Sequence, residues 1–249
     1  MIDSPLKDIR IGKLTSQWAA AQGIECKYFE STESTNDFAK KEAFSDKIAE
    51  HALLLYLADE QTKGRGRGKN TWTTETGTSL LSSWSFLLQD LPQPLTAPRM
   101  GLAVYKALTA TWPYLNFSIK APNDIYLGPK KLGGLLIETI SQGEDVRLII
   151  GLGLNVIASP EIDAPTISIA EALPEHAPLL GEDWIGFLER LIFEITNAIA
   201  KSQDDLNTTE AASLVFALNQ NPNQQDQVIE IDELGNMKTK TKTISWTEL

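Results

Sequence analysis

Apolar positions fall into short runs and spaced stripes that alternate along the chain. Cys26-Lys27-Tyr28-Phe29 reads as a strand. It enters the hydroxyl-rich turn Ser31-Thr32-Glu33-Ser34-Thr35-Asn36-Asp37, beyond which residues 38–43 read as a helix, with Ser34 and Asp37 at helix-start spacing. Residues 52–58 form an unbroken apolar run of buried-strand length, and residues 78–88 predict another strand, ended by the proline-spaced segment 92–98. Met100, Ala103, Val104, Ala107 and Leu108 recur at helical spacing and predict an amphipathic helix over 96–111. Residues 117–120 alternate as a strand, and Ala121-Pro122-Asn123-Asp124 turns it. Residues 125–127, 135–140 and 146–150 then predict successive strands with short connections, as in an antiparallel sheet. The glycine-bearing stretches 130–134 and 151–155 sit between and after them.

A last stripe of Trp184, Phe187, Leu188, Leu191, Ile192, Ile195 and Ile199 predicts a helix over 182–201 that closes the core. Beyond it the chain turns polar apart from the apolar patch 214–218, and the Asn/Gln-rich run 219–227 reads as a linker or disordered loop. Residues 228–231 and 237–244 flank a turn, which predicts a small hairpin whose Lys238, Lys240 and Lys242 suit an exposed edge strand. The opening to Gln22 reads as an arm or a short helix, too irregular for a helix-turn-helix domain.

Composition narrows the class. The 249 residues suffice for one large domain, or a medium one with an appendage, and 42% hydrophobic with 22% charged residues is ordinary for a globular protein in water. A formal charge of -11 argues against extended nucleic-acid binding, which needs a basic face. Cys26 is the single cysteine and His51 and His176 stand apart, so neither a disulfide nor a metal cluster is expected and a reducing cytoplasm fits best. No apolar run approaches a membrane span.

Against that acidic background, Lys63, Arg65, Arg67 and Lys69 crowd into seven positions of the stretch running from Asp59 to Trp72. A local cationic loop suits an anionic guest, and its alternating glycines, Gly64, Gly66 and Gly68, offer positive φ and close backbone approach. It is not a nucleotide P-loop, since three residues separate Gly64 from Gly68 and Asn70 follows Lys69. It is not a dinucleotide fingerprint either, because Lys69 stands where the third glycine belongs. A flexible solvated or RNA-binding segment remains the alternative. Ser34, Thr35 and Asn36 read either as helix capping or as polar groups facing a ligand at a helix N-terminus.

Taken together, Ser34-Thr35-Asn36, the segment from Gln61 to Trp72, Lys120-Ala121-Pro122-Asn123-Asp124, Lys131-Leu132-Gly133-Gly134 and Gly151-Leu152-Gly153-Leu154-Asn155 resemble, in order and spacing, the motif set of biotin protein ligases. The resemblance implies an α+β fold, a mixed and largely antiparallel sheet packed by helices. It implies a catalytic domain over residues 1–203, with 204–249 as a small C-terminal β segment or the trimmed remnant of an SH3-like barrel. It implies that ATP and biotin give biotinyl-5'-AMP, and that biotin then passes to a lysine of a biotin carboxyl carrier protein. By similarity Lys131, Arg67 and Lys120 are catalytic. Ser34, Thr35, Asn36, Gln61, Gly64, Arg65, Lys131 and Gly133 meet biotin, while Arg67, Trp72, Asn123, Asp124 and Asn155 serve the nucleotide, with Asp124 on Mg²⁺. No tightly bound prosthetic group, DNA or membrane partner is implied, and a homodimer is compatible. Ala121 stands where the family usually has tryptophan, which bears on packing beneath that turn. A lipoate-type ligase of the same fold and a non-catalytic phosphate- or nucleic-acid-binding module are the alternatives.

Overall fold

The computed structural model describes residue 6, residues 9–45 and residues 51–246. The start of the expected N-terminal arm, residues 1–5, 7 and 8, lies outside the described residues. Helix α1 (Ile11–Ala21) leads into β1 (Cys26–Phe29), α2 (Thr35–Glu42), β2 (Leu53–Ala58) and β3 (Ser79–Leu88). Then come α3 (Thr96–Thr111), β4 (Phe117–Lys120), β5 (Asp124–Leu127), β6 (Lys130–Gln142), β7 (Asp145–Asn155), the single turn α4 (Ile169–Ala172) and α5 (Gly181–Ala200). Helix α6 (Thr208–Asn219) and strands β8 (Val228–Ile231), β9 (Asn236–Thr239) and β10 (Thr243–Ser245) complete the order. Strands β1 to β7 form one mixed sheet in the order β1-β2-β3-β7-β6-β5-β4, and the last three strands form a separate sheet, β10-β9-β8. No helix of the described residues is long and apolar enough to cross a membrane.

Connection length explains the mixture of strand directions. Strand β1 pairs parallel with β2 because α2 provides the crossover that parallel neighbours need. Strands β6 and β7 pair antiparallel out to Gln142 opposite Asp145, which leaves a two-residue turn in which Gly143 takes φ +63.

The chain divides into two compact units, Met1–Leu91 with Leu132–Ile185, and Pro92–Lys131 with Gly186–Leu249. In the first, Ala39 of α2 packs with Leu54, Tyr56 and Ile149, joined by Phe29, Phe38 and Ile140. The other face of β2 and β3 carries Leu55 opposite Trp84, and Trp84 meets Trp18 of α1 edge-on with centroids 6.4 Å apart. Strand β2 is therefore covered on both faces, which is why its sequence shows no polar alternation. The buried Arg147 guanidinium donates to the carbonyls of Ala43 at 2.7 Å and His51 at 3.0 Å.

In the second unit Trp112 packs on Phe187, and α6 packs on α3, β4 and β8. The buried Arg99 donates to the carbonyls of Lys201, Asp204 and Asp205 at 2.5–2.6 Å and pairs with Glu210, the residue that closes the capping box of α6 with Asn207.

Several expectations are corrected here. The stretches 130–134 and 151–155 lie within β6 and β7, not in connections: Gly133 and Gly134 pair with Leu154 and Gly153, and Gly151 and Gly153 pair in turn with Ser83 and Leu81. The patch 214–218 belongs to a twelve-residue helix whose start is fixed by its capping box. The run 219–227 is ordered: Asn219 bonds both the N–H and the C=O of Val228, at 2.9 and 2.8 Å, and Asn223 donates to Pro129 O at 2.9 Å. Amide side chains there replace backbone partners. Residues 237–244 split into β9 and β10, and β9 is the middle strand of its sheet, with Lys238 paired to Glu230 at 3.1 Å.

Candidate functional site

In the first unit the site is built around the N-terminus of α2. Ser34 is its N-cap, accepting weakly from Asp37 N–H at 3.4 Å, so the capping role weighed from sequence is present. The next orphan amide, Thr35 N–H, donates to Gln61 Oε1 at 2.7 Å, and the Thr35 hydroxyl lies 3.1 Å from the same oxygen. Asn36 is buried, with its amide between Leu136 O, Glu138 and Ser83.

Beneath these residues β7 supplies two glycines on one face of the sheet, since residues two apart in a strand point the same way. A Cβ at Gly151 would collide with Asn36 Oδ1 and lie 3.0 Å from its Cγ, and one at Gly153 would lie 2.5 Å from the Trp72 indole. A Cβ at Gly133 would stand 2.7 Å from Gly153 O. Gly151-x-Gly153 is therefore a cradle for α2 and the loop.

The cationic loop is a closed hairpin. Trp72 N–H donates to Gly64 O at 2.9 Å, and Gly66 N–H donates to Asn70 O at 2.8 Å. Of its three glycines only Gly68 has positive φ, +68; Gly64 is required because a Cβ would strike the Trp72 carbonyl. Arg65 forks onto Asp37, at 3.1 and 2.7 Å, and reaches Glu138 at 2.8 Å, while Lys40 bonds Glu138 at 2.8 Å and Asp37 at 3.0 Å. Burial alone would raise the Glu138 carboxyl, but hydrogen bonds from Lys40, Asn36 and Arg65 outweigh it and hold it below the usual carboxylate range. Asp37 is likewise lowered, against its own burial, by Lys40 and Arg65. Lys63 pairs with Glu33 at 2.7 Å. The positive charge left unpaired among the described residues of the loop is that of Arg67 and Lys69, both exposed.

The base of the loop is anchored by Asp59, fully buried, which accepts from Tyr28 and from Arg10 at 3.2 Å. Asn155, also buried, donates to Ile167 O at 3.1 Å, and its Oδ1 has no partner among the described residues.

In the second unit Lys131 pairs with Asp124 at 2.7 Å, both half-buried, and Lys120 lies exposed with its ammonium 5.5 Å from the Tyr126 ring centroid. Asn123 belongs to the same turn, where the Trp246 indole donates to Pro122 O at 3.1 Å. A tryptophan thus packs at this turn, supplied from the C-terminus and not from position 121.

A family model, the biotin/lipoate A/B protein ligase family, matches residues 28–155. The chain belongs to this family. The matched span contains every candidate site residue named above. A human biotin–protein ligase is 34% identical over 134 residues, which are 49% of this chain and 17% of the human protein, so the chain spans only a fraction of the length of that relative. The biotin protein ligase from Aquifex aeolicus in complex with biotin and ATP superimposes with TM-score 0.67 and 23% identity over 88% of this chain and 95% of that one. The Leishmania major enzyme in complex with biotinyl-5-AMP gives 0.62 and 22% over 86% and 94%. At these identities the two structures speak for the fold, and the mixed seven-stranded sheet packed by helices is theirs.

Sequence reasoning overlooked Ser83, Glu138 and Asp37. One of them left a signal, since Glu138 interrupts the apolar run 135–140, whereas Ser83 is one of four serines in its strand, with Ser79, Ser82 and Ser85, and does not stand out. Asp37 looked like ordinary first-turn helix chemistry.

Proposed function

We propose that this chain is a biotin protein ligase that activates biotin with ATP and then attaches it to a lysine of a carboxylase carrier domain in the cytoplasm. The observation that carries the reading is the cluster at the start of α2. There Ser34, Thr35 and Gln61 gather short uncharged donors and acceptors, which suit a cyclic urea with one carbonyl and two N–H groups. The dithiolane of a lipoyl chain has no hydrogen-bonding use for Gln61, which disfavours the lipoate reading. The names of the relatives, and the biotin, ATP and biotinyl-5-AMP in the two solved structures, support the same choice.

In the first step a biotin carboxylate oxygen attacks the α-phosphorus of ATP. The bond to the bridging oxygen breaks, and pyrophosphate leaves with its electron pair. Both reactants are anions, so cations must neutralise charge as it moves. Lys131 and Lys120 take that role, with Arg67 bringing its exposed guanidinium from the loop. Trp72 offers an apolar face to the adenylate, and Asn123 and Asn155 hold the nucleotide. In the second step the neutral ε-amine of the carrier lysine attacks the acyl carbon, the acyl C–O bond breaks as AMP leaves with its electron pair, and the nitrogen gives up a proton to water as the amide forms. Asp124 is the residue to hold Mg²⁺. Among the described residues no group of three or more His, Cys, Asp or Glu is arranged to hold a metal, and a single carboxylate suits an ion bound mainly through phosphates and water. When bound, it supplies further neutralisation of the triphosphate.

Biotin-dependent exchange of labelled pyrophosphate into ATP tests the reading. Exchange with biotin and none with lipoate is expected; folded protein that exchanges only with lipoate, or with neither acid, overturns it.

A further inference from the structure

Strand β5 is bracketed by two prolines, Pro122 before it and Pro129 after it. A proline has no N–H, so its carbonyl is the one backbone group by which it can be held. Both carbonyls are taken by side chains that lie beyond α6 in the chain. The Trp246 indole donates to Pro122 O at 3.1 Å, and the Asn223 side-chain amide donates to Pro129 O at 2.9 Å. Trp246 is 4% exposed and follows β10 directly, whereas the Asn223 bond lies at the surface.

The segment that delivers these two donors has a fixed seat in the same unit. Helix α6 packs on β8, and Asn219 at its end holds both backbone groups of Val228. The β8–β9 turn presses on the start of α3, where a Cβ at Gly235 would lie 2.5 Å from Leu95 Cδ2. Asp232 closes that turn, accepting from Leu234 N–H at 3.0 Å and from both nitrogens of Asn236 at 2.8 and 3.0 Å. What the two donors grip is the stretch in which the cations of the second unit sit. Lys120 stands opposite Asp124 in the register of β4 and β5, and Asp124 pairs with Lys131, two residues beyond Pro129, at 2.7 Å.

We infer that Trp246 and Asn223 are positioning residues, a two-point clamp by which the C-terminal segment fixes the stretch carrying Lys120, Asn123, Asp124 and Lys131 where the nucleotide reacts. This rests on the nucleotide role proposed above for that stretch and deepens it. The clamp acts through backbone carbonyls and supplies no charge of its own. Its effect is on placement, to which a charge-neutralising group is sensitive, since a displacement of about 1 Å can cost up to about 100-fold in rate.

The test is pyrophosphate exchange by the whole chain at saturating biotin with ATP varied, set beside thermal unfolding of each variant. Trp246→Phe keeps an aromatic ring but has no N–H to give, and is expected to lower kcat/KM for ATP about fivefold, the order of one lost hydrogen bond. Trp246→His returns a ring N–H near the place of the indole nitrogen and is expected to recover part of that loss. Asn223→Ala, at an exposed position that does not threaten folding, is expected to lower the same quantity about twofold or more. It keeps the inference falsifiable should the Trp246 variants not fold. Calorimetry without nucleotide is expected to find the biotin Kd within about twofold of the parent's in each variant, because Ser34, Thr35 and Gln61 are untouched. Variants that melt earlier yet keep the parent's kcat/KM for ATP make the two contacts merely structural and overturn the inference. So does a histidine variant no better than the phenylalanine one, or a loss shared equally by biotin binding. A parent that shows no exchange with biotin overturns the biotin reading, and this inference with it, before any variant is measured.

Discussion

Lys131 and Arg67 carry opposite structural obligations, and their variants separate chemistry from folding. Lys131 is ion-paired with Asp124 at a half-buried site, and such a pair contributes about 1 kcal/mol or less to stability. Lys131→Ala is therefore expected to unfold near the parent temperature while pyrophosphate exchange falls roughly 100-fold or more, as it does when a transition-state donor is lost. Arg67 is exposed, so Arg67→Gly is expected to leave the fold intact and to release biotinyl-5'-AMP faster than the parent in a filter-retention assay. Equal retention would remove Arg67 from the groups that hold the adenylate. Gly151 is constrained by contact alone: Gly151→Ala drives a methyl into Asn36, and a loss of about 1–3 kcal/mol is expected by urea unfolding, in the range of other overpacked sites. Individual residues were also where sequence reading reached furthest, since Ser34, Gln61 and Arg65 do meet around one helix end. It misjudged why Gly64 is glycine, because the atom pressing on that position comes from Trp72, eight residues away.

At the level of elements, the start of α2 is tied to the loop and to β6 by the charges of Asp37, Lys40, Arg65 and Glu138. Both carboxyls are held below their ordinary values, so the stability they contribute is fully present above the unfolded-state pKa, near 4. It is lost as pH falls through the lowered folded values. A pH series of thermal unfolding is expected to show a flat region at neutral pH and a decline below about 4. Glu138→Gln is expected to be less stable than the parent at neutral pH and to show a shallower acid limb; an acid limb as steep as the parent's would mean that other groups set it. Periodicity located most elements well, since burial on one face leaves a repeat of 3.6 or 2 in the sequence. Helix α6 escaped because its amphipathic signal is weak and its start depends on the Asn207 and Glu210 capping box.

Across the whole molecule a charge of -11 surrounds one cationic loop. Two of the four loop cations are already committed to carboxylates, so little positive surface is left for a phosphate backbone. Duplex DNA is therefore expected to show no biotin-independent retention on this chain at moderate salt in a gel-shift assay. Steeply salt-dependent retention would instead favour the nucleic-acid alternative. What the sequence determined alone was whatever depends on neighbours along the chain: strand and helix periods, the order and spacing of the motif set, and through them the α+β class and the family. What the tertiary structure decided depends on partners far apart in sequence. Asn36 and Glu138 are separated by 102 positions, and Ser83 and Asn36 by 47. Which of these groups come together has no trace in local pattern. It follows only when the sheet register sets Ser83 beside Gly151 and brings the amide down onto them both.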